Sequence, residues 1–95
     1  MKRYIKASPS YDLRTQYDSR QSFYSKARVE DNGDTVTLYS YNTPICTIDR
    51  TTHTITFTEY YNYSQTTRRH LKEFLLQNGI DINTREIVPG EEYPI

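Results

Sequence analysis

The residues of this chain best placed for binding chemistry are two adjacent arginines, Arg68 and Arg69, at the start of a predicted helix. The first turn of a helix carries a partial positive charge and free N–H donors, so a cation there is unfavourable by roughly 0.3–1 kcal/mol. With Thr66, Thr67 and the exposed amides, the two arginines could hold a phosphate or a cluster of carboxylates. Ion pairing with Glu59 or with the acidic tail, or simple solvation, is the structural alternative and the more common role of surface charge.

Metal and catalytic chemistry find little support in the sequence. Cys46, His53 and His70 are the chain's thiol and imidazole groups, and with a carboxylate they could in principle make a zinc site. Their spacing forms no CxxC or HxxxH pair, which favours packing at the edge of the core for all three. The neighbouring carboxylates Glu91 and Glu92 lie near the terminus and are expected to be solvated. We therefore expect no metal, no cofactor and no catalytic residue.

Tyrosines supply the second group of candidate contacts, since the chain has ten of them. Some fall on the outer face of a predicted sheet and others just before the helix. Such a surface could be a stacking platform for unpaired bases or a protein interface, because tyrosine and arginine are enriched at contact hot spots. Strand propensity alone explains the sheet tyrosines equally well. The predicted partner-binding residues are Arg68, Arg69, Tyr24, Lys26, Arg28, Tyr39, Tyr41, Tyr60, Tyr61 and Tyr63.

Composition and charge indicate a small single-domain protein. The chain has 95 residues, of which 35% are hydrophobic, and a formal net charge of zero, enough for one modest core. Residues 1–30 carry seven basic and three acidic groups, but the balanced total disfavours both an acidic mimic of nucleic acid and coating of nucleic acid by bulk positive charge. No apolar run resembles a membrane span or a secretory signal. With its lone Cys46, the chain is expected to be cytoplasmic.

Alternating apolar residues predict an antiparallel sheet over residues 22–59. A first strand over 22–30 turns at Asn32-Gly33, a pair suited to two positive-φ positions, and returns over 35–41 with Val36 and Leu38 facing inward. A second turn is predicted at residues 42–44. The third strand, 45–49, lacks strict alternation, which indicates a bulge or burial on both faces. The fourth, 52–58, points His53, Ile55 and Phe57 inward.

A helix within residues 64–79 is predicted to cover one face of this sheet. Its apolar positions repeat at helical spacing, Gly79 supplies a stop, and Ser64, Thr66 or Thr67 supplies the cap. The inward stripe is Leu71, Phe74, Leu75 and Asn78. Residues 1–21 show neither period and are predicted to be an irregular arm, while the tail 80–95 either packs on the domain or adds an edge strand. The predicted fold is a single α+β domain over residues 1–95, a four-stranded antiparallel β-meander covered by one C-terminal α-helix.

Three segments carry a resemblance to a known group of proteins. LYSYNTPI at 38–45, YSQTTRRHLKEFL at 63–75 and YDSRQSFYSKA at 17–27 resemble recurring parts of small uncharacterised proteins encoded by phages and mobile elements of Gram-positive bacteria. The likeness spans roughly residues 17–76. It implies a context: small accessory proteins of this kind commonly bind and block a host machine, and inhibition of a CRISPR-Cas effector, as in an anti-CRISPR protein, is one concrete form.

These observations lead to two functional hypotheses. The first is a non-catalytic phage or mobile-element protein that binds a host protein or ribonucleoprotein through Arg68, Arg69 and the tyrosine-rich surface. The alternative is a small nucleic-acid-binding regulator that uses the basic arm and the sheet tyrosines. Salt dependence separates the two, because contacts with phosphates weaken steeply as salt rises.

Overall fold

The computed structural model describes residues 10–95, which form one open antiparallel sheet and one α-helix. The elements are β1 (Ser10–Asp12), β2 (Ala27–Asp31), β3 (Thr35–Ser40), β4 (Thr43–Asp49), β5 (Thr54–Phe57), α1 (Gln65–Gln77) and β6 (Glu92–Pro94), with a short 3₁₀ turn at Thr84–Glu86. The strands lie in the order β1 to β6, and each pairs antiparallel with its neighbour. The α+β class is confirmed. The predicted strand number is wrong: over this range the sheet has six strands.

The two additional strands come from the segments predicted to be arm and tail. β1 pairs with β2, and β6 pairs with β5, so the tail adds an edge strand. Three residues are too few to show an alternating pattern, and both strands form because the edges of β2 and β5 offer unpaired backbone groups. The remainder of the predicted arm, residues 1–9, lies outside the described residues.

β2 is shorter than predicted because the chain before it is not extended. Tyr24 and Ser25 have φ angles of 53° and 62°, so the strand begins at Ala27 rather than Ser22. Phe23 is nevertheless buried. The turn into β3 is confirmed, although Gly33, with φ 90°, alone of the Asn32-Gly33 pair has a positive φ.

The turn from β3 to β4 lies earlier than predicted, at Tyr41 and Asn42, whose φ angles are 52° and 67°. The bulge in β4 is confirmed. Leu38 opposes Cys46 whereas Tyr39 opposes Pro44, so Ile45 is an extra residue and both Ile45 and Cys46 can be buried.

β5 buries Ile55 and Phe57 as predicted. His53 does not share their face, because it lies before the strand in the turn, with φ 57°, and is exposed. The prediction that His53 faces the core is therefore wrong.

The helix α1 begins after Ser64, whose side chain accepts a hydrogen bond from the Thr67 N–H. Leu71, Phe74 and Leu75 join the core that the inner face of the sheet provides. The prediction that Asn78 belongs to the inward stripe is wrong, because Asn78 is exposed and caps the end of the helix. The buried stripe instead includes three polar residues, Thr67, His70 and Glu73.

Candidate functional site

Two turns at one end of the sheet carry tyrosines in a strained backbone conformation. The Tyr24-Ser25 turn is closed by a 3.0 Å hydrogen bond from the Lys26 N–H to the Phe23 carbonyl, and the Tyr41-Asn42 turn joins β3 to β4. Both residues of each turn have positive φ, as in the type I′ turn that favours asparagine and glycine. A bulky residue in this region is destabilised by roughly 1–2 kcal/mol. Tyrosine is therefore an unfavourable choice for the backbone here.

The two turns lie side by side. The Tyr41 N–H donates to the Lys26 carbonyl at 2.8 Å, and the ring of His70 lies near both turns, 4.5 Å from the Phe23 ring and 5.8 Å from that of Tyr41. Both tyrosines nevertheless face solvent: Tyr24 is 71% exposed and Tyr41 is 51% exposed. Tyr41 was predicted on the outer sheet face beside Tyr39, but the turn directs it towards the helix side.

A buried hydrogen-bond network supports this end of the sheet. Ser40 Oγ lies 2.8 Å from His70 Nδ1 and 3.1 Å from Thr67 Oγ1, and the Ser64 hydroxyl donates to Thr67 Oγ1 at 3.1 Å. Burial lowers the pKa of His70 to about 4. The negative charge of Asp18 partly opposes this shift, and the positive charge of Arg20 adds a smaller lowering. His70 is therefore neutral near pH 7.

A serine hydrogen-bonded to a histidine could be a nucleophile and its base. Here Ser40 and His70 are both buried, so a substrate cannot reach the hydroxyl. The Nε2 atom of His70 has no hydrogen-bond partner among residues 10–95. We interpret the pair as packing support that joins β3 to α1. The contact between Ser40 and His70 was not predicted, although Ser40 continues the inward alternation of Val36 and Leu38.

A cleft of about 750 Å³ lies between the Tyr41-Asn42 turn and the start of α1. Its walls carry the hydroxyl and aromatic groups of Tyr41, Tyr60, Tyr63 and Thr66 together with the side chains of Asn42 and Pro44, and we call it the tyrosine cleft. Tyr60 is 45% exposed and Tyr63 is 78% exposed. Two of the segments that carry the resemblance, 38–45 and 63–75, thus meet at this cleft.

Thr58 fixes the loop that carries the cleft tyrosines. Its N–H donates to the Ile45 carbonyl at 2.8 Å and its hydroxyl donates to the Pro44 carbonyl at 2.7 Å. Tyr61, in contrast, is half-buried and packs edge-on against Phe57, with ring centroids 6.0 Å apart. Tyr61 therefore belongs to the core margin rather than to the tyrosine cleft.

The two helix arginines have different surroundings. Arg69 donates to Asp18 at 3.0 Å in an ion pair. The structural alternative of ion pairing therefore holds for Arg69, but its partner is Asp18 and not Glu59 or the acidic tail. Arg68 is exposed and forms no ion pair with any carboxylate of residues 10–95. Lys72, one turn later, is likewise exposed and unpaired within that range, and the sequence analysis missed it. The two cations line a shared cavity of about 400 Å³.

Glu73 anchors the segment that leads to Asp18. Its buried carboxylate accepts hydrogen bonds from the N–H groups of Gln16, Tyr17 and Asp18 at 2.8–3.0 Å, and from Gln77 Nε2 at 2.6 Å. Burial alone would raise the pKa of Glu73, but these hydrogen bonds outweigh it and lower the pKa below its usual value. The charged carboxylate thus holds the arm on α1.

The outer sheet face holds the remaining predicted contacts. The Arg28 guanidinium lies 4.1 Å from the ring centroid of Tyr39, and it also approaches Glu30 at 3.5 Å. Both Arg28 and Tyr39 are half-buried, whereas Lys26 is exposed. This face is therefore separate from the tyrosine cleft, and the ten predicted contacts do not form one surface.

Neither a metal site nor a membrane-spanning helix is found in the part of the chain that the structure describes. No three histidine, cysteine, aspartate or glutamate residues among 10–95 cluster in a way that could hold a metal ion. Cys46 is buried, and burial raises the pKa of its thiol. Across the same residues, no helix has the length and apolar character needed to cross a bilayer.

Comparison with known proteins gives one match. Neither a curated protein nor a solved structure matches the chain. The sequence model of a family of unknown function matches residues 11–90, which include β2 to β5, α1 and the tyrosine cleft. The chain therefore belongs to that family of unknown function, DUF8033.

Proposed function

We propose that the protein is a non-catalytic binding protein that captures a macromolecular partner at the tyrosine cleft and the adjoining Tyr24. The observation that carries the proposal is the conformation of Tyr24 and Tyr41, two exposed tyrosines at positive φ. Asparagine or glycine would stabilise both turns. Strained residues of this kind cluster at ligand-contact sites, where the surrounding structure holds them in place.

The side chains of the cleft suit a protein partner. Tyrosines present large, rigid contact areas with a polar tip and have only two side-chain torsions to immobilise, so they are common anchors at interfaces. Arg68 is exposed near the helix start but does not line the cleft. A cleft lined by the exposed rings of Tyr41, Tyr60 and Tyr63 has the composition expected of an interface hot spot.

The partner we propose is a host protein or ribonucleoprotein in the bacterial cytoplasm. This part of the proposal depends on the resemblance to phage and mobile-element proteins. Inhibition of a CRISPR-Cas effector is its most concrete form. In that form, stoichiometric protein added to a purified effector should lower cleavage of target DNA, and unchanged cleavage by every effector of the host would argue against it.

The experiment compares two double variants in affinity capture from a Gram-positive host lysate, with and without nuclease treatment. Tyr24→Asn with Tyr41→Asn should keep or raise the thermal midpoint while reducing partner capture about tenfold or more. The matched control is Tyr11→Ser with Tyr17→Ser, which changes two exposed tyrosines outside the cleft and should leave capture unchanged. Equal capture by both double variants would show that the two turns are not part of the binding site.

The second candidate is a nucleic-acid-binding regulator that uses the outer sheet face. The observation that favours it is the stack of Arg28 on Tyr39 next to the exposed Lys26, since arginine and aromatic side chains bind unpaired bases. Here Lys26→Glu should weaken binding of a labelled single-stranded oligonucleotide, and binding should fall steeply with salt. Absence of oligonucleotide binding at low salt would eliminate this candidate.

A further inference from the structure

A second groove, whose lining shares no residue with the tyrosine cleft, lies between α1 and the segment 80–85. It encloses about 800 Å³, and we call it the helix–tail groove. Gly79, with φ 68°, ends the helix and turns the chain back. The Gly79 N–H donates to the Leu76 carbonyl at 3.1 Å and the Ile80 N–H donates to the Leu75 carbonyl at 2.9 Å, the paired bonds of a Schellman cap. This local cap places the tail alongside the helix.

Aliphatic side chains of α1 and of the tail line the floor of the helix–tail groove. Leu75 is buried, and Ile80 and Ile82 are half-buried and pack against the core. Leu76 remains 42% exposed although it lies beside these apolar residues. Filling the groove with apolar side chains would remove this surface from water at roughly 25 cal/mol per Å².

The rim of the groove is cationic. Arg68 and Lys72 line one side and Arg85 the other, and none of the three forms an ion pair with a carboxylate in residues 10–95. Arg68 and Lys72 are four residues apart on the helix, where like charges repel by about 0.2–0.5 kcal/mol. Asp81 is the single acidic residue of the lining. The rim therefore has an excess of positive charge.

We infer that the helix–tail groove binds an acidic amphipathic segment of a partner protein, with apolar side chains on the floor and carboxylates against Arg68, Lys72 and Arg85. Arg68, Lys72 and Leu76 follow one another at four-residue intervals along about 12 Å of helix, which matches two turns of a bound helix. The groove is distinct from the tyrosine cleft, and the inference does not depend on the function proposed for that cleft.

Charge and floor chemistry favour this occupant over two others. The chain's own residues 1–9 contain three basic and no acidic residues, so they do not complement a cationic rim. A nucleic acid would satisfy the cations, but the single aromatic residue of the lining, Tyr61, is half-buried and packs on Phe57, which leaves little surface on which bases can stack. A partner segment with both carboxylates and leucines complements the cationic rim and the aliphatic floor of the groove.

The test measures binding of the full chain to a fluorescein-labelled peptide of about 14 residues, with leucines at helical i, i+4 spacing and glutamates elsewhere. Two control peptides replace the glutamates by lysines or the leucines by serines. A labelled oligouridine is the nucleic-acid probe. Fluorescence anisotropy should show the acidic leucine peptide binding at least about tenfold more tightly than each of the other three probes.

Variants assign the binding to the groove. Arg68→Glu with Lys72→Glu should weaken the acidic peptide about tenfold or more, whereas Arg14→Glu with Arg20→Glu, an equal charge change at exposed residues outside the groove, should have a much smaller effect. Leu76→Ser tests the floor without changing charge and should also weaken binding. Thermal unfolding establishes that each variant is folded.

Several results would overturn the inference. They are equal binding of either control peptide, tighter binding of oligouridine, equal loss in the two charge-reversed pairs, or self-association at the groove that the Arg68→Glu, Lys72→Glu variant abolishes. The Tyr24→Asn, Tyr41→Asn variant should bind the acidic peptide normally. Loss of peptide binding by Arg68→Glu with Lys72→Glu, but not by the tyrosine variant, therefore separates this groove from the tyrosine cleft.

Discussion

The two ends of strand β3 are built in opposite ways. At its start, the Asn32-Gly33 turn uses glycine at its positive-φ position, and Arg50 braces it by donating to both carboxylate oxygens of Asp31 at 2.7 Å and 3.1 Å. At its end, the Tyr41-Asn42 turn places a bulky side chain at positive φ. The first turn is stable through its own residues, whereas the second depends on support from the rest of the molecule.

That support comes from remote polar residues on α1. His70 contacts Ser40 and the neighbouring aromatic rings, and Glu73 holds the arm that precedes the Tyr24 turn. The start of β3 is therefore held by local contacts and its end by distant ones. Four substitution experiments test this difference.

The largest effect should follow from removing the buried carboxylate at the tyrosine end. Glu73→Ala leaves backbone N–H groups of the arm without acceptors, and should reduce the free energy of unfolding by about 3 kcal/mol in urea denaturation. Glu59→Ala, at an exposed glutamate, is the control and should have no measurable effect. If the two substitutions change the free energy of unfolding equally, the end of β3 does not depend on the Glu73 carboxylate.

The second effect is a pH dependence from His70. Its pKa is about 4 when folded against 6.5 ordinarily, so the unfolded chain binds more protons between these values. The stabilisation is complete above about pH 6.5 and is lost as pH falls towards 4. From about pH 7 to about pH 5, the free energy of unfolding should fall by about 2 kcal/mol.

His70→Gln should remove most of this slope, whereas His53→Gln, at an exposed turn, should retain it. The comparison uses urea denaturation at each pH. A slope that survives His70→Gln, or that disappears with His53→Gln, would contradict the assignment.

The third effect tests the start of β3. Gly33→Ala should reduce the free energy of unfolding by about 1–2 kcal/mol, because alanine is strained at φ 90°. A Cβ at this position meets no atom within 4 Å, so the loss would come from the backbone rather than from a clash. An unchanged thermal midpoint would show that this turn does not require glycine.

The smallest effect has the opposite sign and occurs at the other turn. Tyr41→Asn should raise the free energy of unfolding by about 1 kcal/mol, since asparagine tolerates positive φ better than tyrosine. The thermal midpoint should rise accordingly. Destabilisation by this substitution would mean that contact of the Tyr41 ring with His70 outweighs the backbone strain, and the contrast between the turns would then fail.

Much of the fold could be predicted because its signals are local. The alternation of Val36 and Leu38, the Asn32-Gly33 turn and the spacing of Leu71, Phe74 and Leu75 each follow from a short stretch of sequence. The irregular apolar spacing of the third strand predicted either a bulge or burial on both faces, and Ile45 is the extra residue of a bulge. Strands β1 and β6 could not be predicted, because three residues show no periodicity and form strands through pairing with an existing edge.

The candidate site was predictable only in part. The sequence predicted the tyrosines and Arg68 as contact residues, and the structure places Tyr41, Tyr60 and Tyr63 together. It does not join Tyr39 and Arg28 to them, and it pairs Arg69 with Asp18. The positive φ of Tyr24 and Tyr41 has no sequence signal, since bulky residues are disfavoured in such turns and the pattern indicated extended chain.

The sequence by itself determined which faces of the strands and the helix are apolar, because a period of two or of 3.6 residues is set by neighbours along the chain. The tertiary structure decided which polar groups meet. Ser40 and His70 are 30 residues apart and Gln16 and Glu73 are 57 apart, and no local pattern specifies such partners. Their pairing follows from satisfying polar groups once the core has closed around them.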